Sequence, residues 1–333
     1  MPDAGVTPLL VVLVVLAVAF DFINGFHDTA NAVATVISTR VMRPWVAISM
    51  AAVLNFAGAM SGTEVAKTVG SGIVDASVPL VAIAAALVGA IAWNLITWYY
   101  GIPSSSSHAL FGSLIGAGVA SLGLGTVHWS VLLDKVLLPL VLSPLFGFVI
   151  ALGAMRLLIA IFASMPPSRV RPLFRRSQVV SAAFMAFSHG SNDAQKTMGI
   201  ITLALVSAGL LPTFHVPLWV IALSAVAMAA GTLAGGRRII HTLGTRLAYL
   251  EPIHGFAAET AAAAVIQGAS RLGFPLSTTH VISASILGVG SARRMNAVRW
   301  DVVRTMVSAW LFTIPATAVL GFLATLAGHA LHR

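Results

Sequence analysis

Apolar stretches follow one another along almost the whole chain. After a first one that begins at Leu9, they fall near residues 44–61, 79–99, 108–124, 131–162, 178–188 with 197–211, 216–235, 253–270, 281–291 and 302–328. An α-helix needs roughly 20 apolar residues to span hydrocarbon, so the lengths predict an all-α integral membrane protein. Composition agrees, with 58% hydrophobic and only 9% charged residues, too few charges for a soluble domain. There is no cysteine, which excludes a disulfide framework and a thiolate metal site. The net charge of +9 invites a nucleic-acid reading, but basic residues of a membrane protein collect in its cytoplasmic loops. A lipid bilayer is therefore the expected partner, and no nucleic acid. Met1–Thr7 carries Asp3 and neither Lys nor Arg, so the start reads as the lead into a first membrane helix rather than a signal peptide.

The arginines orient the chain. The most basic loop, near its middle, holds Arg169, Arg171, Arg175 and Arg176. With this loop in the cytoplasm and five crossings in each half, Arg40, Arg43, Arg156, Arg237, Arg238, Arg246, Arg293, Arg294, Arg299 and Arg304 fall on the same side, and only Arg271 and Arg333 fall outside. The positive-inside rule thus expects a multi-pass cell-membrane protein, inner or plasma membrane, with its central loop cytoplasmic and both termini outside. The expected divisions are a first transmembrane repeat over 1–164, a basic cytoplasmic loop over 165–177 and a second repeat over 178–333.

The two parts repeat each other. Gly25-Phe-His27-Asp28-Thr-Ala-Asn31-Ala aligns with Gly190-Ser-Asn192-Asp193-Ala-Gln-Lys196-Thr, and Pro103–His108 aligns with Pro275–His280. Thr68 and Gly70 match Thr242 and Gly244, and Gly116 and Gly118 match Gly288 and Gly290. An odd number of crossings in each half makes the repeat inverted. Inverted repeats with broken or re-entrant helices place a substrate site at their interface near the membrane midplane.

The duplicated blocks carry the chemistry. Asp28 and Asp193 are expected at breaks in two membrane helices, with Asp21 a few residues before the first. A carboxylate in hydrocarbon faces a cavity or a partner, although capping of a broken helix end is the structural reading. Ser104, Ser105, Ser106 and Ser107, and in the second copy Ser277, Thr278 and Thr279, follow prolines and precede new helices. One hydroxyl per turn is explained by capping; a run of four is not. A helix N-terminus with free N–H groups binds oxyanions, and two such ends facing each other would wrap a tetrahedral one. His108 and His280 close these motifs, and His27 and His189 sit beside the acidic ones, as structural hydrogen-bonding groups or proton sites. No pair has the spacing of a zinc site on a single helix, so no metal centre and no cofactor is expected.

These residues resemble the inorganic phosphate transporter family, in its bacterial low-affinity permease branch. The family's Gly-Ala-Asn-Asp-Val-Ala-Asn-Ala signature is matched by Gly25, Asp28, Ala30, Asn31 and Ala32, and again by Gly190, Asn192, Asp193 and Ala194. Its Pro-x-Ser-Thr-Thr-His motif is met by Pro275–His280 and loosely by Pro103–His108. The resemblance implies inorganic phosphate as substrate, carried by symport with sodium or protons; some relatives are similar to sulfate carriers. Phe26, His27 and Thr29 depart from the signature in the first copy, and Gln195, Lys196 and Thr197 in the second. Lys196 stands where the first copy has Asn31. Its ammonium beside Asp193 would supply a fixed cation, which points to proton-coupled import of phosphate, or of a neutral divalent metal–phosphate complex, or else serves only to neutralise Asp193. On this reading Asn31, Ser104–Ser107, Asn192, Lys196 and Ser277–Thr279 bind substrate, while Asp21, His27, Asp28, His108, Asp193, Glu259 and His280 handle the coupling ion or proton.

Glu259 lies in an Ala-rich apolar span of the second half only, where the first half has Leu87. It is expected either to carry the coupling proton or to pair with a neighbouring Arg or His. The alternatives are a sulfate or other oxyanion permease, sodium-coupled phosphate symport, and, remotely, an intramembrane hydrolase or phosphatase. The last lacks a Gly-x-Ser-x-Gly elbow, and a duplicated hydroxyl motif suits a nucleophile poorly, so the chain is not read as an enzyme. Gly58, Gly62, Gly112 and Gly116 suit a homodimer contact as well as internal packing.

Overall fold

The computed structural model describes residues 7–292 and 298–331. Arg293, Arg294 and Arg333, counted in the charge argument, and the two chain ends lie outside that range. The described chain is almost wholly helical, and its β-pairing is confined to two isolated bridges, Val74 with Val127 and Ala248 with Val298. The helices are α1 (Pro8–Ser38), α2 (Pro44–Ala59), α3 (Glu64–Gly72), α4 (Leu80–Tyr100), α5 (Ser106–Leu122), the one-turn α6 (Trp129–Val131), α7 (Leu138–Phe162), α8 (Pro167–Ser207), α9 (Leu218–Ala234), α10 (Arg237–His241), α11 (Pro252–Arg271), α12 (Thr278–Ser291) and α13 (Trp300–Leu331). π-helical turns join α6 to α7 over Leu132–Leu137 and extend α10 over Thr242–Arg246.

By length and composition, α1, α4, the run Trp129–Phe162 and α13 can each cross a membrane, and the count of four rises to six if each bent pair is one span. The bent pairs are α2 with α3, at 68°, and α9 with α10, at 66°. The order of elements recurs after α7. In both halves a long helix with a polar middle is followed by a bent pair, an apolar helix and a short helix that starts at a serine-capped end.

Two expectations about the backbone are corrected. Asp21, Asp28 and Asp193 do not mark breaks: α1 and α8 run unbroken through both polar blocks. The side chains of Asp28 and Asp193 find partners on neighbouring helices, and the backbone keeps its own hydrogen bonds, as it must in hydrocarbon. The breaks lie instead in the bent pairs and before α5 and α12. There Gly101 (φ 65°) and Gly273 (φ 75°) end the preceding helices in the left-handed conformation, and a proline two residues later holds the chain extended. The second correction concerns residues 167–177, expected as loop, which form the exposed first turns of α8. Pro167 sits at the first helical position, where its missing N–H is not needed.

The halves interlock. α1 packs against α9 and α8 against α2, while α13 covers α5 and α7 covers α12. One apolar core joins the first half of α1 to α3, α4 and α5, and to the last turns of α8; a second joins α7, α11 and α12 to Ala30 and Ala34 of α1. Gly58, Gly112 and Gly116 are engaged in this internal packing, against Phe187, Ile314 and Ala318 respectively, and a side chain at Gly62 would meet Gln195.

Candidate functional site

α1, α5, α8 and α12 meet in a buried polar centre. Asp28 and Asn31 lie one turn apart on α1, and Asp193 and Lys196 one turn apart on α8. The starts of α5 and α12 come in between them. At these starts Ser105 accepts from the His108 N–H and Ser277 from the His280 N–H, at 3.1 and 3.3 Å. Both serines are thus N-caps, and the next hydroxyls are free to turn inward.

Ser106 donates to Asp28 Oδ2 at 2.9 Å, and Thr279 of the other half reaches Oδ1 at 3.4 Å. Thr278 donates to Asp193 Oδ2 at 2.8 Å. Asn31 ties the halves together, donating to Thr279 at 2.9 Å and Thr278 at 3.3 Å. Lys196 is only 1% exposed, and its ammonium uses its three donors on Asp193 Oδ1, on Ser107 Oγ at 2.5 Å and on the Leu276 carbonyl at 2.8 Å. A buried ammonium persists only when paired and fully hydrogen-bonded, and both conditions are met here.

The remaining expected residues divide. His27 Nδ1 lies 2.6 Å from Asp28 Oδ1, and its Nε2 is 3.1 Å from Thr97 Oγ1, to which Ser104 also donates. Asn192 clamps the loop before α12, donating to Ser270 and the Phe274 carbonyl and accepting from the Leu276 N–H. The rings of His108 and His280 lie side by side, tilted by 40° with centroids 4.5 Å apart, and His280 stacks on Trp310 at 3.9 Å. Trp310 in turn donates to the Pro103 carbonyl. Asp21 is fully buried two turns before Asp28, and neither of its oxygens accepts a hydrogen bond.

Glu259 belongs to a separate cluster. It accepts from Thr35, from Ser181 and from Gln178, the last at 3.1 Å, and none of these is a cation. The expected alternative of an Arg or His partner is not met. Thr35 lies seven residues beyond Asp28 on α1, about 10 Å along the axis.

His189 and Asn55 carry more of the centre than their sequence context indicates. His189 Nε2 lies 3.1 Å from Asp193 Oδ2 and its Nδ1 is 3.1 Å from Asn55 Oδ1. Ligand atoms of Asp28, His189 and Asp193 come within 4.8 Å of one another, close enough to hold one cation. The i,i+4 spacing of His189 and Asp193 was a readable signal; the contribution of Asp28 from another helix was not. Asn55, Asn94 and Gln178 stand out as amides in apolar helices, but a side chain's partner across helices cannot be read from its own segment.

Long apolar helices around a buried, charged, two-sided polar centre define a multi-pass membrane carrier. The chain belongs to the phosphate transporter family, which residues 24–321 match. It is 49% identical to a probable low-affinity inorganic phosphate transporter of Rhizobium meliloti over 320 residues, 95% of each chain. It is 47% identical to one of Bacillus subtilis, over 95% of this chain and 96% of the other. Among solved structures it shares the fold of a protein described as the sodium-dependent phosphate transporter, with a TM-score of 0.86, 24% identity and coverage of 96% and 99%. The protein is therefore a transporter and not an enzyme.

Proposed function

We propose that this protein imports inorganic phosphate by symport with protons, and that the ion is held between the N-termini of α5 and α12. The reading is carried by the convergence of Ser106, Ser107, Thr278 and Thr279 on Asp28, Asp193 and Lys196. Helix N-termini and hydroxyls would supply donors to a tetrahedral oxyanion, and Lys196 the positive charge. A site with carboxylate acceptors favours phosphate over sulfate, because only phosphate keeps a proton to donate near neutral pH.

Charge arithmetic gives the reason for symport. Asp28 and Asp193 against Lys196 leave one negative charge in excess with both carboxylates ionised, and phosphate adds at least one more. In a buried site that charge is expensive, so the anion enters only with a cation. A proton can be taken up by a carboxylate or an imidazole. The Asp28–His189–Asp193 triangle supports a second reading, in which the anion arrives as a metal–phosphate complex and these three residues receive the metal. The inverted arrangement of the two halves, with the basic start of α8 in the cytoplasm, completes the proposal and makes it an alternating-access carrier.

The test is radiolabelled phosphate uptake into proteoliposomes under an imposed proton gradient, then a sodium gradient, with excess sulfate as competitor. Proton-driven uptake insensitive to sulfate is the expected result. Uptake driven only by sodium, or abolished by sulfate, overturns the coupling ion or the substrate. Addition of magnesium or manganese is expected to raise uptake only if the metal complex is the transported form.

Glu259 is the proposed proton carrier, since a buried carboxylate held by neutral donors alone gains most from a proton. Glu259→Gln preserves size and hydrogen-bonding capacity. It is expected to lower proton-driven net uptake at least tenfold, ~1.4 kcal/mol or more, while phosphate-for-phosphate exchange continues. Net uptake with unchanged pH dependence would remove Glu259 from the coupling.

A further inference from the structure

We infer that Asp21, Asn24, Asn94 and Thr197 form a binding site for a small monovalent cation, outside the phosphate centre. The carrying observation is a set of buried polar groups without partners. Neither oxygen of Asp21 accepts a hydrogen bond, both amide atoms of Asn24 and of Asn94 are unpartnered, and so is the hydroxyl of Thr197. All four residues are fully buried. Orphaned groups are rare in native interiors, and each one calls for a water, an ion or a functional role. Three such side chains around one carboxylate make a site.

The four come from three helices that converge. Asn24 stands one turn before His27 on α1, and Asn94 one turn before Thr97 on α4. His27 and Thr97 are 3.1 Å apart, Phe26 packs on Trp98, and Leu13 and Phe20 share a core with Ile83 and Leu87. α1 and α4 therefore run in the same direction, and stepping back one turn on each brings the two asparagines onto facing positions. Thr197 of α8 faces Asp21 directly, and Asp193 and Lys196 are the other charged groups that Asp21 senses. Those two already neutralise each other, so an ionised Asp21 has no counterpart among the described residues.

The donor chemistry selects the ligand. A carboxylate, two amide oxygens and a hydroxyl are hard oxygen ligands, suited to alkali and alkaline-earth ions rather than to transition metals. A single carboxylate matches one positive charge. A divalent ion bound by one carboxylate keeps several waters, whereas these fully buried donors would replace a hydration shell. The site does not depend on which ion drives phosphate import.

The test uses the purified full-length protein without phosphate. Binding of radiolabelled sodium and the thermal unfolding midpoint are measured in sodium chloride and in choline chloride. Saturable binding and a higher midpoint in sodium are expected. Asp21→Asn should lose at least tenfold in sodium affinity, and its midpoint should no longer respond to sodium. Thr197→Val and Asn94→Leu serve as second variants, each expected to weaken binding. Asp28→Asn is the control for the neighbouring centre and should keep the sodium response. Absence of binding in the parent overturns the proposal. So does loss of binding in Asp28→Asn with retention in Asp21→Asn, as does a midpoint that follows pH but not sodium, which would make Asp21 a proton site. Because no phosphate is present, failure of the transport reading leaves this outcome untouched.

Discussion

Phosphate uptake is expected to fall about tenfold to hundredfold in a protein carrying both Lys196→Met and Asp193→Asn, although that protein folds. Lys196→Met strands Asp193 in the membrane interior with Thr278 as its remaining donor and His189 beside it. Removing one partner of a buried ion pair costs about 3–5 kcal/mol, a large share of any chain's stability. The single variant therefore confounds lost function with lost fold, and low yield from it is expected. Neutralising Asp193 at the same time removes the stranded charge and restores the fold. It does not restore the ammonium. If Lys196 contacts the anion, the double variant has lost one charge-assisted hydrogen bond, worth about 1.5–3 kcal/mol, and each 1.4 kcal/mol is about tenfold in affinity. If Lys196 only neutralises Asp193, the double variant binds phosphate as tightly as the parent, and any loss of uptake that remains reports Asp193 itself. Phosphate binding and uptake by the refolded double variant decide between the two. Lys196→Asn recreates the residue at the matching position of the first block and asks a related question. Sodium-driven uptake surviving in it, from a parent without proton dependence, would show that Lys196 is no substitute for a mobile cation.

Much of this centre was legible because it is written twice. Duplication singled out Asp28, Asp193 and the two Pro-to-His motifs without any knowledge of contacts, and each of these segments reaches the centre. What duplication could not give was the role of each hydroxyl. Ser105 and Ser277 look like their neighbours in sequence, yet they are turned back as caps while Ser106, Ser107, Thr278 and Thr279 face inward. That choice is set by where a helix begins, and helix starts are uncertain by a residue or two. Nor could it assign His108 and His280, whose rings turn to each other and to Trp310 on α13, a helix remote in sequence.

The misplaced breaks have a similar cause. Polar residues in an apolar stretch read as an interruption when a segment is scored alone. In the fold, Thr29 donates back to the Gly25 carbonyl at 2.7 Å, and Gln195 bonds both to the Ser191 carbonyl and to the N–H of Val65 at the start of α3. The helix stays whole because its neighbours complete it. Small residues carried the opposite lesson. The chain is rich in glycine, and its sequence does not say whether a given glycine faces lipid, another copy or its own neighbour. The close approaches settle this for the first glycine of each aligned sequence block: Gly25 meets the backbone of α9 at Met228, and Gly190 meets that of α2 at Asn55.

Gly190→Leu should accordingly be among the most damaging single changes in the chain. A Cβ at this position would lie 2.2 Å from the Asn55 carbonyl oxygen and 2.6 Å from the Asn55 Cα. Both are backbone atoms, so no side chain can swing aside and α2 must move away from α8. On the facing helix, Gly58 is under the same constraint, with the Phe187 carbonyl 2.1 Å from its would-be Cβ. Overpacking a well-packed contact typically costs about 1–3 kcal/mol, and occasionally more; leucine here forces apart two backbones rather than two side chains, which places it at or above the upper end. The displacement reaches the buried polar centre as well. Asn55 holds His189 through its Oδ1 and donates to Thr232 at 2.8 Å, so separating the helices moves the imidazole beside Asp193. Gly153→Leu is the matched control, because a Cβ there meets nothing within 4 Å. Thermal unfolding in detergent should show Gly153→Leu close to the parent and Gly190→Leu either strongly lowered or absent from the folded fraction, with uptake lost in parallel. Equal midpoints for the two variants would mean that α2 and α8 slide past one another at no great cost, and the close pairing between the halves would then be a flexible contact rather than a fixed hinge line.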